Sequence, residues 1–279
     1  MKLEFTKMHG VGNDYIYVDC FRQKIENPTE LSERLSDRHF GIGGDGLVLI
    51  CPSFVADAKM RMFNADGSEG KMCGNAIRCV AKYLCDNGYH LGDSISIETL
   101  SGIKKLTVFK ENGLVSTVSV DMGKGSFDPK SLPITSLSPI IGGKRVFGGK
   151  EYEITCVSMG NPHCVTFVDD TDSVEIEKVG RIFENDPLFP ERVNTEFVKV
   201  IDDKTLKMRV WERGSGDTLA CGTGACASVF SAVLNGIVNR NEKITVKLSG
   251  GDLEIECKDD DTLIMTGAAT KVFDGVIEL

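Results

Sequence analysis

The sequence predicts an α+β protein made of two pseudo-symmetric copies of one domain. Three observations predict it. The first is a repeat at one offset. Lys59-Met60-Arg61-Met62-Phe63-Asn64 matches Lys207-Met208-Arg209-Val210-Trp211-Glu212, and Cys73-Gly74 matches Cys221-Gly222, each 148 residues on (221 − 73). Gly12-Asn13 with Gly160-Asn161, Asn87-Gly88 with Asn235-Gly236, and Leu100-Ser101-Gly102 with Leu248-Ser249-Gly250 are matched at the same offset. Separated blocks at one spacing read as a duplicated unit. The second observation is the alternation of apolar and polar residues, as in Leu206, Met208 and Val210 against Lys207, Arg209 and Trp211 and again over 94–122, which is the period of half-buried strands. The third is that each copy carries an apolar helical stretch that opens just after a cysteine and closes at Asn-Gly. Ile77, Val80, Ala81 and Leu84 form the stripe of such a helix.

Taken in order, residues 1–19 read as a strand, a turn at His9-Gly10-Val11-Gly12-Asn13-Asp14, and a second strand. Thr29 to about Arg38 reads as a short helix with Thr29 as its N-cap. Gly41-Ile42-Gly43-Gly44-Asp45-Gly46 is a glycine-rich loop before the strand LVLIC. It lacks the Gly-Lys-Ser/Thr ending of a P-loop, and it does not open a helix after a strand, so it does not predict a nucleotide site. The strand KMRMFN, the turn ADGSEGKM and the helix after Cys73 follow, and then the hairpins of 94–122. Gly123 to Gly149 is rich in glycine, proline and serine, so the domain connection is placed at its start. The second copy repeats the order, with a short helix near Glu175 to Phe183 and a strand from Thr195 to Val200. The expected domains are therefore 1–121, with a closing strand at 268–279 packed back on it, and 122–267.

Composition narrows the function classes. Of 279 residues, 41% are hydrophobic and 26% charged, enough apolar material for a core in each copy. A net charge of −9 argues against a nucleic-acid or anionic-membrane partner. The opening MKLEFTKMHG has no apolar signal region and no run is long enough to span a bilayer, so a cytoplasmic protein is expected. Ten cysteines occur with no CxxC pair. Spacings of six (Cys73, Cys79, Cys85) and five (Cys221, Cys226) are not those of zinc ligands, so no metal is expected. Most of the cysteines read as small core residues.

Cys73 and Cys221 stand apart. A cysteine at a helix start has free N–H groups and the helix dipole beside it, which favour a thiolate and can hold a carboxylate nearby. Two such groups flanking one carbon suit inversion of configuration: one thiolate removes a proton from one face and the other thiol returns a proton to the opposite face. Both thiols are expected to ionise near neutrality. The N–H groups around Gly74-Asn75 and Gly222-Thr223 would stabilise the carboxylate beside the reacting carbon. Nothing in the sequence asks for a cofactor.

The blocks MCGN, GNPH and ERGxGxTxACGTGA, with the opening KMHGVGNDY, resemble diaminopimelate epimerases along essentially the whole chain. The resemblance implies two similar domains, each a curved, mostly antiparallel sheet wrapped round a central helix. It also implies a cofactor-independent epimerase of lysine and peptidoglycan precursor biosynthesis, acting on LL- and meso-diaminopimelate, and a homodimer. By position, Cys73 and Cys221 would be the acid/base pair on opposite faces of the α-carbon. Gly74, Asn75, Gly222 and Thr223 would hold the reacting carboxylate through backbone N–H groups. Asn13, Asn64, Asn161, Asn194 and Arg213 would bind substrate, and Arg213 would clamp a distal carboxylate in two-point fashion. His163 and Glu212 would meet the reacting end and help set thiol protonation.

Two positions depart from that family. Ala76 stands where many members have glycine and is expected to crowd the helix start. Gly46 stands where many have glutamine and is given no role. Three rival readings stay open. A proline or hydroxyproline racemase of the same fold usually carries a histidine after the first Cys-Gly, where this chain has Asn75. An isomerase of the same fold with a carboxylate base would not need cysteines at both helix starts. A non-enzymatic thiol redox or metal-binding protein would be expected to show CxxC pairs or clustered histidines.

Overall fold

A computed structural model describes residues 2–279. The chain divides into two units, Met1–Asp121 with Thr266–Leu279, and Met122–Met265.

The first unit contains β1 (Lys2–Gly10), β2 (Asn13–Asp19), α1 (Pro28–Ser36), β3 (Gly46–Cys51), β4 (Ala58–Asn64), the short β5 (Glu69–Gly70), α2 (Gly74–Asp86), β6 (Ser94–Thr99), β7 (Gly102–Glu111) and β8 (Leu114–Lys124). β1 pairs antiparallel with β2. β2 runs parallel to β3, which pairs antiparallel with β4, and β4 runs parallel to β6. The hairpins β6–β7 and β7–β8 complete the sheet. The helices are the crossovers that parallel pairs require: α1 joins β2 to β3, and α2 joins β4 to β6. They lie on opposite faces. Leu35 of α1 packs with Leu3, Phe5, Ile16, Val18, Leu47, Leu49 and Phe63, while the alternate residue Tyr17 reaches the Ala76 carbonyl of α2. Burial on both faces explains why β3 reads as the unbroken apolar run LVLI.

The second unit contains β9 (Gly143–Phe147), β10 (Lys150–Ser158), β11 (Pro162–Phe167), α3 (Ile176–Glu184), β12 (Asn194–Asp202), β13 (Thr205–Glu212), β14 (Gly216–Thr218), α4 (Gly222–Leu234), β15 (Lys243–Leu248), β16 (Gly251–Cys257) and the start of β17 (Thr262–Ala268), which crosses the boundary after Met265. β18 (Thr270–Glu278) belongs to the first unit and pairs antiparallel with β1. The pairing order of the first unit recurs here: β10 with β11, β11 parallel to β12, β12 with β13, β13 parallel to β15, and β15 with β16. Phe183 of α3 stacks on Phe147 and meets Phe197 edge-on, filling the outer core with Trp211. α4 is buried from Ala225 to Ala232 and packs on β10 to β13, β15 and β16.

The repeat is kept in the backbone. α1 and α3, and α2 and α4, begin and end 148 residues apart (176 − 28 and 222 − 74). Leu47 lies opposite Phe63 as Thr195 lies opposite Trp211. Both central helices end in the same cap. After Asn87, the Gly88 and Tyr89 N–H groups turn back to the Cys85 and Leu84 carbonyls; after Asn235, those of Gly236 and Ile237 turn back to Val233 and Ala232. One expected block does not keep the offset. Thr99 lies opposite Gly102, but Leu248 lies opposite Gly251, so the counterpart of Gly102 is 149 residues on (251 − 102). One extra residue between α4 and β15 shifts the hairpin, and the shared letters Leu-Ser-Gly are out of register. The start of α1 also differs from expectation. Asn27 is the N-cap residue and Pro28 takes the first helical turn, where its fixed φ and missing N–H cost nothing.

Candidate active site

Both cysteines singled out in the sequence are N-cap residues. Cys73 and Cys221 have extended backbones (φ −133° and −124°), and each sulfur accepts the N–H three residues on. The distances are 3.5 Å from Ala76 to Cys73 Sγ and 3.3 Å from Gly224 to Cys221 Sγ. The first intrahelical bonds start at Ile77 and Ala225. The N–H groups of Gly74, Asn75, Gly222 and Thr223 therefore precede any intrahelical acceptor and are the natural anchors for a carboxylate. Ala76 does not crowd the helix start. It is buried at the third helical position and the cap forms around it.

In the first unit, Cys73 Sγ donates to Asn13 Oδ1 at 3.4 Å, and Asn75 Nδ2 donates to the same oxygen at 3.4 Å. Asn13 is itself held by Asp45, which accepts its Nδ2 at 2.7 Å. Behind this lies a charge ladder: Arg38 bridges Asp45 (3.0 Å) and Asp14 (2.7 Å), and the buried Lys7 ammonium meets Asp14 at 2.6 Å. Burial alone would raise the Asp14 carboxyl, but Arg38 and Lys7 outweigh it and hold it below the usual aspartate range. Arg78, the largest fully buried side chain, donates to the Gly74 carbonyl (3.0 Å) and Asn75 Oδ1 (3.0 Å), fixing the first turn of α2. Asn64 is exposed at the end of β4, its amide donating to Ser68 Oγ at 2.9 Å.

In the second unit, strand alternation sends Phe197 and Trp211 into the outer core, and His163, Glu196 and Glu212 onto the opposite face. His163 and Glu196 are fully buried and bonded, Nδ1 to Oε1, at 2.7 Å. His163 Nε2 lies 3.1 Å from Asn161 Oδ1, Asn161 Nδ2 donates to Thr223 Oγ1 at 3.3 Å, and that hydroxyl lies 3.5 Å from Cys221 Sγ. Asn194 donates to the Pro162 carbonyl and accepts the Arg213 backbone N–H at 2.9 Å. The Arg213 guanidinium rests on the Glu191 carbonyl at 3.0 Å, and Glu212 Oε1 accepts the Thr218 hydroxyl.

The electrostatics of Cys221 differ from expectation. Burial pushes its thiol well above the ordinary range, the Glu212 charge pushes the same way, and the Thr223 hydroxyl and Gly224 N–H oppose them without prevailing. A helix N-terminus does not bring this thiol to neutrality, because the loss of water outweighs two donors.

A family model described as diaminopimelate epimerase matches residues 5–127 and 155–272. The chain belongs to the diaminopimelate epimerase family. Membership places it among amino-acid epimerases, and the match spans both copies of the repeat. The chain is 56% identical to the diaminopimelate epimerase of Acetivibrio thermocellus, covering 99% of each. It is also 56% identical to that of Methanococcus maripaludis, over 99% of this chain and 100% of the other. Its fold is that of a Bacillus anthracis PhzF-family phenazine biosynthesis protein (TM-score 0.72, 16% identity, 100% of both chains). It is likewise that of an Agrobacterium vitis hydroxyproline epimerase (TM-score 0.70, 13% identity, 99% of this chain and 91% of that). At such identities the likeness is one of fold.

Glu196, Arg78 and Asp45 lie outside the blocks by which this epimerase-family chain is recognised. A signal existed for Glu196. It sits in phase with Val198 in a buried strand, and its counterpart at the repeat offset is the core residue Val48. Arg78 lies in the apolar helix, where Cys226 stands in the second copy. Gly46 opens β3 opposite Asn64, and a Cβ there would lie 2.0 Å from the Phe63 carbonyl oxygen, so this backbone has no room for a side chain. Among the described residues no group of three or more metal-ligating side chains is placed to hold a metal ion, and no helix is long and apolar enough to cross a membrane.

Proposed function

We propose that this chain is a cofactor-independent epimerase that interconverts LL- and meso-2,6-diaminopimelate, in the cytoplasm and as a homodimer. The observation that carries the reading is the pair of N-cap cysteines at equivalent places in a duplicated fold. Inversion at one carbon needs a base for one face and an acid for the other, and duplication supplies two equivalent thiols. In one direction Cys73 as thiolate removes the α-proton and Cys221 as thiol delivers one to the opposite face; the return reaction reverses the roles. Burial keeps Cys221 protonated, which suits it to the acid role in the resting protein. The N–H groups of Gly74, Asn75, Gly222 and Thr223 hold the reacting carboxylate as charge develops beside it. Asn13, Asn64, Asn161, Asn194 and Arg213 orient the substrate, with His163 and Glu212 at the reacting end.

The test is solvent deuterium incorporation at the α-carbon of LL-diaminopimelate, with L-proline as control substrate, in wild type, Cys73→Ser and Cys221→Ser. We expect exchange and epimerisation by wild type, no turnover of proline, and loss of epimerisation in each variant. Turnover of proline alone would move the reading to a proline racemase. Inertness of fully reduced protein toward both substrates would refute it.

A further inference from the structure

The second unit holds an unbroken chain of side-chain contacts from a buried carboxyl to Cys221: Glu196 to His163 at 2.7 Å, His163 to Asn161 at 3.1 Å, Asn161 to Thr223 at 3.3 Å, and Thr223 to the sulfur at 3.5 Å. We propose that Glu196 is a positioning residue which, through His163 and Asn161, directs the Thr223 hydroxyl hydrogen onto Cys221 Sγ and so stabilises this sulfur when it must act as the thiolate. The inference rests on the epimerase reading for its purpose, but not for its geometry.

Donor and acceptor capacities fix the direction of the chain. The Glu196–His163 pair can hold its proton as neutral acid on neutral ring or as carboxylate on imidazolium. In both, His163 Nε2 carries a hydrogen and donates to Asn161 Oδ1. The Asn161 amide then presents Nδ2 to Thr223, whose oxygen accepts it, and the hydroxyl hydrogen goes to sulfur. Remove the pair's proton and the neutral ring can keep its hydrogen on Nδ1, facing the carboxylate. Asn161 then turns over, its carbonyl takes the Thr223 hydrogen, and the sulfur meets only lone pairs, an arrangement that suits the thiol. The proton at the far end thus decides what the near end offers.

The site is built to keep that proton. Glu196 is wholly buried and its Oε2 has no partner among the described residues, a poor setting for an ionised carboxylate. Burial, with Glu212 adding to it, raises this carboxyl against the opposing pull of His163. The groups that face the pair and the thiol are His163 from β11, Glu196 from β12, Glu212 from β13 and Thr223 from α4. The backbone also makes way for Glu196. A Cβ at Gly224 would lie 2.8 Å from Glu196 Oε1, and the counterpart of Gly224 is Ala76, in the copy where Val48 replaces the glutamate. That copy also has Tyr15 for His163, so the device belongs to Cys221 alone.

The experiment is a pH titration of Cys221 by the 13Cβ chemical shift of labelled cysteine, assigned with Cys221→Ser, in wild type, Glu196→Gln, Glu196→Met and Thr223→Val. Gln and Met remove the same charge at similar volume. Only Gln can donate to His163 Nδ1, and it prefers to, because the opposite orientation buries its NH2 unpartnered. We expect Glu196→Gln to titrate as wild type does. Thr223→Val should hold about tenfold less thiolate at a given pH, in line with the loss of one hydrogen bond to a charged sulfur; Glu196→Met leaves His163 Nδ1 without a partner but keeps the ring hydrogen on Nε2, where Asn161 accepts it, so its loss should be smaller. Combining the last two should add nothing further, since they cut one chain. If Glu196 acted only through its charge, Gln and Met would both hold more thiolate than wild type, and that result overturns the proposal. Thr223→Val carries the test should Glu196→Met not fold: a titration like that of wild type would again overturn it. Failure of the epimerase reading would show separately, as absence of diaminopimelate turnover by wild type, with the titration still readable.

Discussion

Cys221 shows how far one residue's chemistry depends on its surroundings. Its place at a helix start argues for an easily formed thiolate, yet burial and the facing Glu212 carboxylate hold it protonated. Glu212 pushes the thiol up, so Glu212→Gln lets Cys221 ionise at lower pH. Loss of the protonated acid should then begin earlier, and the alkaline limb of the kcat/KM profile should move to lower pH. An unmoved limb would show that the Glu212 charge does not reach the sulfur. Gly224→Ala is expected to cost about 1–3 kcal/mol, because the new methyl meets Glu196 Oε1 and the Cys221 side chain. Urea unfolding would measure it. Asn13, Asn75, Asn161 and Thr223 were legible in the sequence as types in motifs. Their partners were not, since Asp45 lies 32 residues from Asn13 and Glu196 lies 33 from His163.

The elements were the most legible level, because helices and strands are written in local period and end signals. α2 and α4 were readable from their apolar runs and Asn-Gly stops, which form the cap that such a pair favours. The strands were readable as strands, but their pairing was not. Parallel contacts between β2 and β3 and between β11 and β12 bring together segments separated by a helix. The contact of α3 with β13 can be tested directly. A Cβ on Gly180 would lie 2.3 Å from Trp211 Cγ, so Gly180→Ala must push the helix off the strand. We expect a loss of at least about 1–3 kcal/mol. Denaturant unfolding followed by the fluorescence of the single tryptophan should show a lower midpoint, and wild-type behaviour would contradict the packing described.

Across the whole molecule, duplication supplies two equal scaffolds and divergence gives them unequal sites. Tyr15, Val48, Asn64 and Ala76 in one copy stand where His163, Glu196, Glu212 and Gly224 stand in the other. The shared scaffold predicts that activity and stability separate cleanly at the cysteines. Serine is a favoured N-cap, so Cys73→Ser and Cys221→Ser should each unfold within about 1 kcal/mol of wild type. Each should nonetheless lose epimerisation by at least about 10²-fold, the scale of a lost acid or base. A serine variant that keeps full activity would remove its cysteine from the chemistry; one that fails to fold would show that the sulfur is structural.

The duplication, the order of elements, the two helix starts and the cysteines that cap them are all legible in the chain of residues. All of these are local patterns or a local pattern met twice, and local patterns survive in a one-dimensional string. Tertiary structure alone decided which charges face Cys221, that Glu196 is buried behind His163, and that Arg78 clamps the first turn of α2. It also moved one expected repeat block by a residue. The physical reason is that burial and hydrogen-bond partnership are properties of register between distant strands. A single inserted residue or a glycine in place of alanine redirects them without changing the pattern that announces the strand.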